Sequence, residues 1–445
     1  MQAFVAKLMQ AAKEAGIEAC EAYIIQQDSF RASITDGEVT EYSSNSTRGL
    51  GFRGLKNGRM GYAGTEAFDD EAVQQLVRGV LESAELSEDT DPEFLYEGGD
   101  DVPSLNLQND SLSAVEPQTK IARLLDMEQV VRSYPGVDKA AESMIRTGRY
   151  TVSIINSYGM NRHYTEDTCV MFGQAVAKDG DEVSTGFYGK AGHDLDQLKP
   201  DEIGREAASR AVNALNAKPV PSGKYRVVFD GEAMTDLLST FCGIFSAESA
   251  QKGLSLLKGR LGESVAAECV TLIDDPLLPD GLGSRPFDDE GVPSRTHVLV
   301  ENGVFKTFLH NLKTAHKDGV QTTGNARKAG GYSAPVLVAP SNLYLKPGSR
   351  TLADMLSGIG SGLVITDVSG LHAGANPLSG DFSLLSKGYL FENGKRVKPV
   401  NQITVAGNFY DLLKNARELA SDLVFPMGNV GSPSVDAGEM SVSGC

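Results

Sequence analysis

The sequence predicts an α+β fold, with mixed, mainly antiparallel sheets and packed helices in an N-terminal region of two subdomains and a larger C-terminal domain. Strand-like segments occur in runs, instead of alternating one by one with helices as in a βαβ fold. Asn-Gly pairs at positions 57–58, 302–303 and 393–394 separate several of these segments. Both central residues of a type I′ turn take positive φ, so these pairs predict hairpins. The length of 445 residues fits two to three domains of about 150 residues each.

The first predicted subdomain, residues 1–90, has the element order α-β-β-β-β-α. Its opening helix covers residues 1–16, where Phe4, Val5, Leu8 and Ala12 recur at helical spacing. The helix carries charges within its apolar pattern, which is typical of an amphipathic surface helix and not of a signal peptide. A second helix closes the subdomain. Four strands are predicted between the helices, over residues 22–34, 38–44 and 48–55 and from the 57–58 turn through Tyr62.

A connector and a second subdomain follow. Residues 86–116 contain Glu88-Asp89, Asp91-Pro92, a Gly-Gly pair and weak periodicity, which predict a connector. The second subdomain, residues 117–217, opens with a helix over 121–131, continues with several strands through Tyr188 and closes with a helix at about 201–216. A proline-rich segment at 218–223 then predicts a domain boundary.

The third predicted unit is a C-terminal domain over residues 222–445. It begins with a strand at 225–229, and one long helix is predicted from about Glu232 into the region of Leu256. The apolar residues of this helix recur at i, i+3, i+4, i+7 and i+11, which forms one continuous stripe. Core packing is the favoured interpretation of the stripe, although a helix–helix interface would have the same pattern. The stripe consists of Met234, Leu237, Leu238, Phe241 and Phe245.

Composition and charge narrow the class of function. The net charge is −18, the pI is about 4.8, and there is no run of Lys or Arg. We therefore expect no direct nucleic-acid binding and no attraction to anionic membranes. The five cysteines form no CxxC pair and are odd in number, which favours a reducing compartment over a disulfide framework. No apolar stretch approaches the roughly 18 residues that span a bilayer. We expect a cytoplasmic protein.

The six histidines do not form a recognisable metal motif. Neither HExxH nor HExxxH occurs. His310 and His316 are six residues apart, about 600° around an ideal helix, so they do not share a helix face. A composite site remains open, for example between His297 and the acidic residues 288–290, because zinc needs three or four convergent ligands from any part of the chain. Solvated or hydrogen-bonded histidines are the favoured interpretation.

Patterns for nucleophilic and nucleotide chemistry are equally weak. There is no GxSxG and no GxxxxGK[ST]. Ser255 begins an SxxK pattern and Ser383 a looser form of it, but the accompanying penicillin-binding signatures are missing. Cys242 lies in an apolar stretch and is predicted to be a small core residue, not a thiolate nucleophile. The glycines at 358–362 precede a strand, whereas a dinucleotide fingerprint follows one, so they predict a turn.

Several short segments together resemble the TldD/PmbA family, also called the modulator of DNA gyrase family or peptidase U62. The resemblance covers nearly the whole chain, and the order and spacing of the segments make it more specific than any one of them. In the C-terminal domain the matching segments are Phe287–Pro293, Thr323–Arg327, Asn376–Ser383, Ile403–Asn408 and Gly431–Ser434. Near the N-terminus they are Ile34–Gly37 and Thr47–Gly51, followed by the Asn57-Gly58 turn.

The resemblance also identifies where a zinc site would lie. The TldD-type subunit carries HExxxH on the first long helix of its C-terminal domain, with two zinc-binding histidines and a glutamate as general base, and a later cysteine completes that site. The matching positions here are Ser239, Thr240 and Ile244, while Gly243 is retained. None of the three side chains can supply an imidazole or a carboxylate. The resemblance therefore implies a PmbA/TldE-like chain with no catalytic or metal-binding residues of its own.

The function implied is that of a zinc-free subunit of a metalloprotease that acts on unfolded peptides, in proteolysis or peptide maturation. The expected partners are a TldD-like subunit that carries the zinc, or a second copy of this chain, and an unfolded peptide that pairs through its backbone like a strand. The chain is expected to be catalytically inactive on its own. Two alternatives stay open: a free-standing metallopeptidase with an unrecognised metal site, and a non-enzymatic homodimeric scaffold or gyrase modulator. The sequence alone assigns no substrate-binding residue.

Overall fold

The computed structural model describes residues 1–88 and 91–445 and confirms the α+β class. Two six-stranded sheets dominate the described chain, with a five-stranded and a two-stranded sheet beside them. Most pairings are antiparallel, as predicted. The described residues include no helix that is both long and apolar enough to cross a bilayer.

The N-terminal region contains one six-stranded antiparallel sheet that extends across both predicted subdomains. Its strand order is β3-β2-β1-β4-β5-β6, and β1 pairs with β4 so that Glu21 lies opposite Asn156. Asp89 and Thr90, which end the predicted first subdomain and fall in the predicted connector, lie outside the described residues. The elements are α1 (Gln2–Glu14), β1 (Ala19–Thr35), β2 (Glu38–Lys56), β3 (Arg59–Thr65), α2 (Asp70–Leu86), α3 (Asp110–Ser113), α4 (Pro117–Ser133), β4 (Val137–Asn156), β5 (Asn161–Asp179), β6 (Glu182–Gly192), a 3-10 turn (Leu195–Gln197) and α5 (Pro200–Asn213).

Side chains of this sheet alternate between a helix-covered face and a face that meets the C-terminal domain. On β1, Ile24 packs in a core with α1 and α2, and Phe30 packs in a core with α4. Tyr23 and Ile25, the two neighbours of Ile24, point to the opposite face and pack in a cluster with Phe287 of the C-terminal domain. Around Tyr23–Ile25 the sheet is therefore buried on both faces, which joins the two regions of the chain.

The C-terminal domain contains a mixed six-stranded sheet and a five-stranded sheet around one large core. The six-stranded order is β16-β15-β14-β7-β19-β17, with β14 and β7 parallel; the five-stranded order is β10-β9-β8-β13-β18. The elements are β7 (Gly223–Phe229), α6 (Gly231–Phe241), a 3-10 turn (Cys242–Phe245), α7 (Ala247–Gln251), β8 (Leu272–Asp274), β9 (His297–Glu301), β10 (Val304–Phe305), α8 (Leu312–Asp318), β11 (Ala326–Arg327), β12 (Leu337–Val338), β13 (Leu343–Leu345), α9 (Leu352–Ile359), β14 (Gly362–Ser369), α10 (Leu371–Gly374), β15 (Asp381–Glu392), β16 (Lys395–Asn408), α11 (Phe409–Asn415), β17 (Glu418–Leu419), β18 (Val430–Gly431) and β19 (Val435–Ser443).

Two local predictions were wrong. The long helix predicted into the region of Leu256 ends at Phe241, because the backbone of Ser246 is extended (ψ 128°) and its N–H bonds to the carbonyl of Gly243, which interrupts the α-helical ladder. The strands predicted at 38–44 and 48–55 are one strand, β2. The polar residues between them resemble a turn in sequence, yet they pair in continuous register with β1, Asn45 lying opposite Ser29.

Other local predictions are confirmed. All five residues of the apolar stripe are buried, and Phe241 stacks on Phe409 with ring centroids 4.7 Å apart. Asn57, Asn302 and Asn393 have positive φ values of 51°, 48° and 52°, as type I′ turns require. Of the glycines at 358–362, Gly360 lies in the short connection between α9 and β14, while Gly358 lies in the last turn of α9 and Gly362 begins β14.

Candidate functional site at the end of helix α6

A cavity of about 420 Å³ lies beside the C-terminal end of α6. Asp230 caps the start of α6 by accepting the N–H of Ala233 at 2.9 Å, and the buried apolar stripe holds the helix against the core. The other end of α6 therefore has a fixed position, where Ser239 and Cys242 line the cavity. The rest of the wall comes from the 282–283 and 339–340 segments, Arg327 and residues 427–430.

The three positions identified by the resemblance have different environments, and none offers a metal ligand of the kind zinc prefers. Ser239 is exposed at the cavity wall. Thr240 donates its hydroxyl to the carbonyl of Asp236 at 2.8 Å, which is a bond within the helix. Ile244 is 2% exposed and belongs to the core. Zinc requires three or four nitrogen, sulfur or carboxylate ligands, so these residues do not fit a zinc site.

Cys242 is a half-buried residue at the cavity wall that also packs against the core. Its thiol donates to the carbonyl of Ser239 at 3.1 Å. Burial, with a smaller contribution from the negative charge of Asp274, raises the pKa of Cys242 to about 11. The thiol is therefore protonated near neutral pH, which makes it a poor nucleophile.

The histidines and the serine considered in the sequence make contacts within the fold. His297 hydrogen-bonds through Nε2 to the carbonyl of Thr323 at 2.8 Å, while His316 stacks on Phe94. Ser255 is buried and donates to the carbonyl of Ile244 at 2.6 Å, which ties down the 3-10 turn after α6. Within residues 1–88 and 91–445, no three His, Cys, Asp or Glu side chains come together in a way that could hold a metal ion.

Arg327 is the charged residue of the cavity wall, and no role for it was predicted from the sequence. Its guanidinium forms no hydrogen bond or ion pair with any part of the chain that the structure describes. Burial alone would lower the pKa of Arg327, but nearby Asp289 and Tyr164 raise it, and the net shift is upward. The cavity therefore contains a permanent cation with donors available for a ligand.

Buried carboxylates hold Arg327 in position. Asp288 accepts the backbone N–H of Ala326 at 3.0 Å, and Asp289 accepts that of Lys328 at 2.7 Å. Asp289 also accepts the hydroxyl of Tyr23 from the N-terminal sheet at 2.9 Å. Two of the family-like segments, 287–293 and 323–327, thus lie against each other. Their acidic residues accept backbone hydrogen bonds, and among the described residues they form no group with His297 that could hold a metal ion.

Glu290 extends this network into the N-terminal sheet. It accepts the backbone N–H of Leu312 at 2.9 Å and lies 3.4 Å from the guanidinium of Arg53, which also bonds to Glu21 at 2.8 Å. All three charged side chains are nearly inaccessible. A buried charge that loses its partner is strongly destabilising, so this triad fixes the N-terminal sheet relative to the cavity.

Comparisons with known proteins agree with this architecture. Residues 20–84, 110–215 and 222–444 match models of domain 1, the central domain and the C-terminal domain of the PmbA/TldA metallopeptidases. The fold is therefore the three-domain PmbA/TldD architecture. Since the matches cover most of the chain, it belongs to the PmbA/TldD family.

Individual relatives match along most of their length. A metalloprotease from Methanothermobacter thermautotrophicus is 29% identical over 89% of this chain and 87% of its own length. Metalloprotease PmbA of Escherichia coli O157:H7 is 25% identical over 96% of this chain and 92% of its own.

Two solved structures are also similar over the full length. A DNA gyrase modulator candidate from Thermotoga maritima superposes with a TM-score of 0.92 and 32% identity, covering 99% of this chain and 100% of that one. TldE from Thermococcus kodakarensis superposes with a TM-score of 0.91 and 26% identity over the same shares.

Proposed function

We propose that this chain is the zinc-free, PmbA/TldE-like subunit of a TldD/PmbA-type metalloprotease that acts on unfolded peptides. The observation that carries the proposal is the chemistry at the end of α6. By resemblance, Ser239, Thr240 and Ile244 match the positions of the zinc-binding motif, and none of the three is an imidazole or carboxylate residue. Hydrolysis then needs a TldD-like partner, whose zinc would polarise the peptide carbonyl and activate water.

The cavity beside α6 supports a role in binding peptide. Its wall carries a guanidinium that forms no hydrogen bond or ion pair with the residues that the structure describes, so its donors are available to a ligand. Arg327 presents several N–H donors in a fixed plane, which suits the carbonyl groups of an extended peptide or its terminal carboxylate. We propose that Arg327 positions the peptide backbone while the partner subunit supplies the chemistry.

Kinetics of the assembled protease test the role of Arg327. Charged hydrogen bonds contribute about 1.5–3 kcal/mol, so Arg327→Met should raise KM for an unfolded fluorogenic peptide by at least about tenfold. Because Arg327 would bind ground state and transition state alike, kcat should change little. Arg295→Met removes an arginine whose side chain is 57% exposed and serves as the matched control.

Assembly is tested by co-expression with a TldD-type subunit that bears HExxxH. We expect a stable complex with chelator-sensitive peptidase activity, and no activity from this chain alone. A chain that stays a homodimer beside that subunit would support the scaffold or gyrase-modulator alternative. Unchanged kinetics for Arg327→Met in an active complex would refute only the positioning role.

A further inference from the structure

A second cavity, of about 380 Å³, lies on the helix-covered face of the N-terminal sheet. Helix α3, the start of α4 and the segment between them form one wall, and strands β2, β1, β4 and β5 form the other. Phe30 of β1 lies between Ser44 of β2 and Thr147 of β4 in the strand register, so these three side chains share one row. The C-terminal domain packs against the opposite face, which makes this cavity separate from the one beside α6.

Lys120 of α4 reaches into this cavity and is 6% exposed. Its amine donates to the hydroxyl of Thr147 at 3.0 Å and lies 4.8 Å from the ring centroid of Phe30. No carboxylate of the described chain forms an ion pair with it, and two of its three N–H donors have no acceptor there. Burial lowers the pKa of Lys120, and the nearby Cys169 and Glu116 offset this lowering only in part.

The charged residues that line the cavity with Lys120 form no ion pair with it. Arg149 also lines the cavity, but it is neutralised by Asp167 at 2.9 Å and Asp110 at 2.7 Å. Asp28 lines the cavity too and is exposed to solvent. Among the described residues that line this cavity, Lys120 is therefore the buried cation without a carboxylate partner.

The position of Lys120 in α4 is also unfavourable for the empty protein. It is the fourth residue of the helix, where the positive end of the helix dipole repels a cation. Glu116 at the N-cap makes no side-chain capping bond that would offset this end of the helix. Burial and the helix dipole destabilise a lysine here, and Glu116 offsets the charge only in part without forming an ion pair. A bound anion would supply the missing ion-pair partner.

We propose that this cavity binds a small monocarboxylate with an apolar body, such as an acylated amino acid, through Lys120. One uncompensated positive charge matches one carboxylate, and the hydroxyls of Ser44 and Thr147 lie in the same row as additional partners. Leu112 and Val115 provide an apolar wall for the body of the ligand. The proposal does not depend on the protease role, since it concerns a different face of the sheet.

Isothermal titration of the full chain with two matched probes tests the proposal. N-acetyl-leucine carries the carboxylate, and N-acetyl-leucinamide has nearly the same shape without the charge. Wild type should bind the acid at least about tenfold more tightly than the amide, as the loss of one charged hydrogen bond implies. Lys120→Met should abolish this preference, whereas Lys139→Met, at an exposed lysine of the same region, should retain it.

Equal binding of acid and amide by wild type would overturn the proposal, and so would binding of inorganic phosphate in place of the acid. This comparison needs no variant and therefore holds even if Lys120→Met fails to fold. Thermal unfolding gives a second readout. If Lys120 serves to bind a ligand and destabilises the empty protein, Lys120→Met should have an equal or higher Tm than wild type. A clear loss of Tm would indicate a purely structural lysine and contradict the proposal.

Discussion

Asp230 links the stability of α6, and hence of the cavity beside it, to pH. Its carboxylate caps the helix by accepting the N–H of Ala233, and its backbone N–H bonds to the carbonyl of Ile365 at 2.9 Å. Burial raises the pKa of Asp230 from 3.8 to about 7, with Glu232 adding to the shift. The folded protein therefore holds this proton at pH values where the unfolded chain has released it.

The sign of the effect follows from linkage. Because the pKa is raised on folding, the stabilising contribution of protonated Asp230 is full below about pH 4 and is lost as the pH rises through about 7. The difference of about three between the two pKa values corresponds to at most about 4 kcal/mol in the free energy of unfolding. Since the side chain keeps partial contact with solvent, we expect about half of this, roughly 2 kcal/mol.

Asp230→Asn isolates this contribution, because asparagine caps a helix as well as aspartate but does not ionise. Between pH 4 and pH 8, the free energy of unfolding of the variant should rise by about 2 kcal/mol relative to that of wild type. The variant should then be the more stable protein at pH 8. Urea unfolding followed by circular dichroism at several pH values measures the difference, with Asp181→Asn as the exposed control. A difference between Asp230→Asn and wild type that stays constant with pH would refute the reasoning.

Two further predictions concern the same domain. With its raised pKa, Cys242 should react with iodoacetamide at pH 8 on the order of 100-fold more slowly than exposed Cys445, and mass spectrometry showing equal rates would contradict its protonated state. A Cβ added at Gly388 would lie 1.8 Å from the carbonyl oxygen of Val364, whereas one at Gly243 would meet nothing within 4 Å. Gly388→Ala should therefore prevent folding or lower Tm strongly while Gly243→Ala changes it little, and similar melting curves for the two variants would be the opposite result.

The sequence predicted features that depend on local chemistry. Positive φ at Asn57 and at the two later Asn-Gly turns follows from the residues themselves, and the stripe that includes Phe241 followed from helical periodicity. The end of α6 could not be predicted in this way, because the extended backbone of Ser246 depends on tertiary packing: its neighbour Ala247 donates to the carbonyl of Leu309 at 3.0 Å.

Features that depend on contacts between distant parts of the chain could not be predicted from the sequence either. One sheet joins both predicted N-terminal subdomains because β1 pairs with β4, more than 100 residues away along the chain. Arg327 belongs to a segment that the sequence analysis matched to the family, but its place in the cavity depends on Asp288 and Asp289. Only the folded chain shows that the guanidinium has no partner among the described residues.

The zinc content of the purified chain tests the central claim most directly. The chain is expressed alone and together with a TldD-type subunit, purified without chelator, and measured by inductively coupled plasma mass spectrometry. Because Ser239, Thr240 and Ile244 cannot ligate zinc, we predict well below one zinc per chain for the protein alone and about one per heterodimer for the complex. About one tightly bound zinc per chain in the protein alone would contradict the proposal and favour a free-standing metallopeptidase.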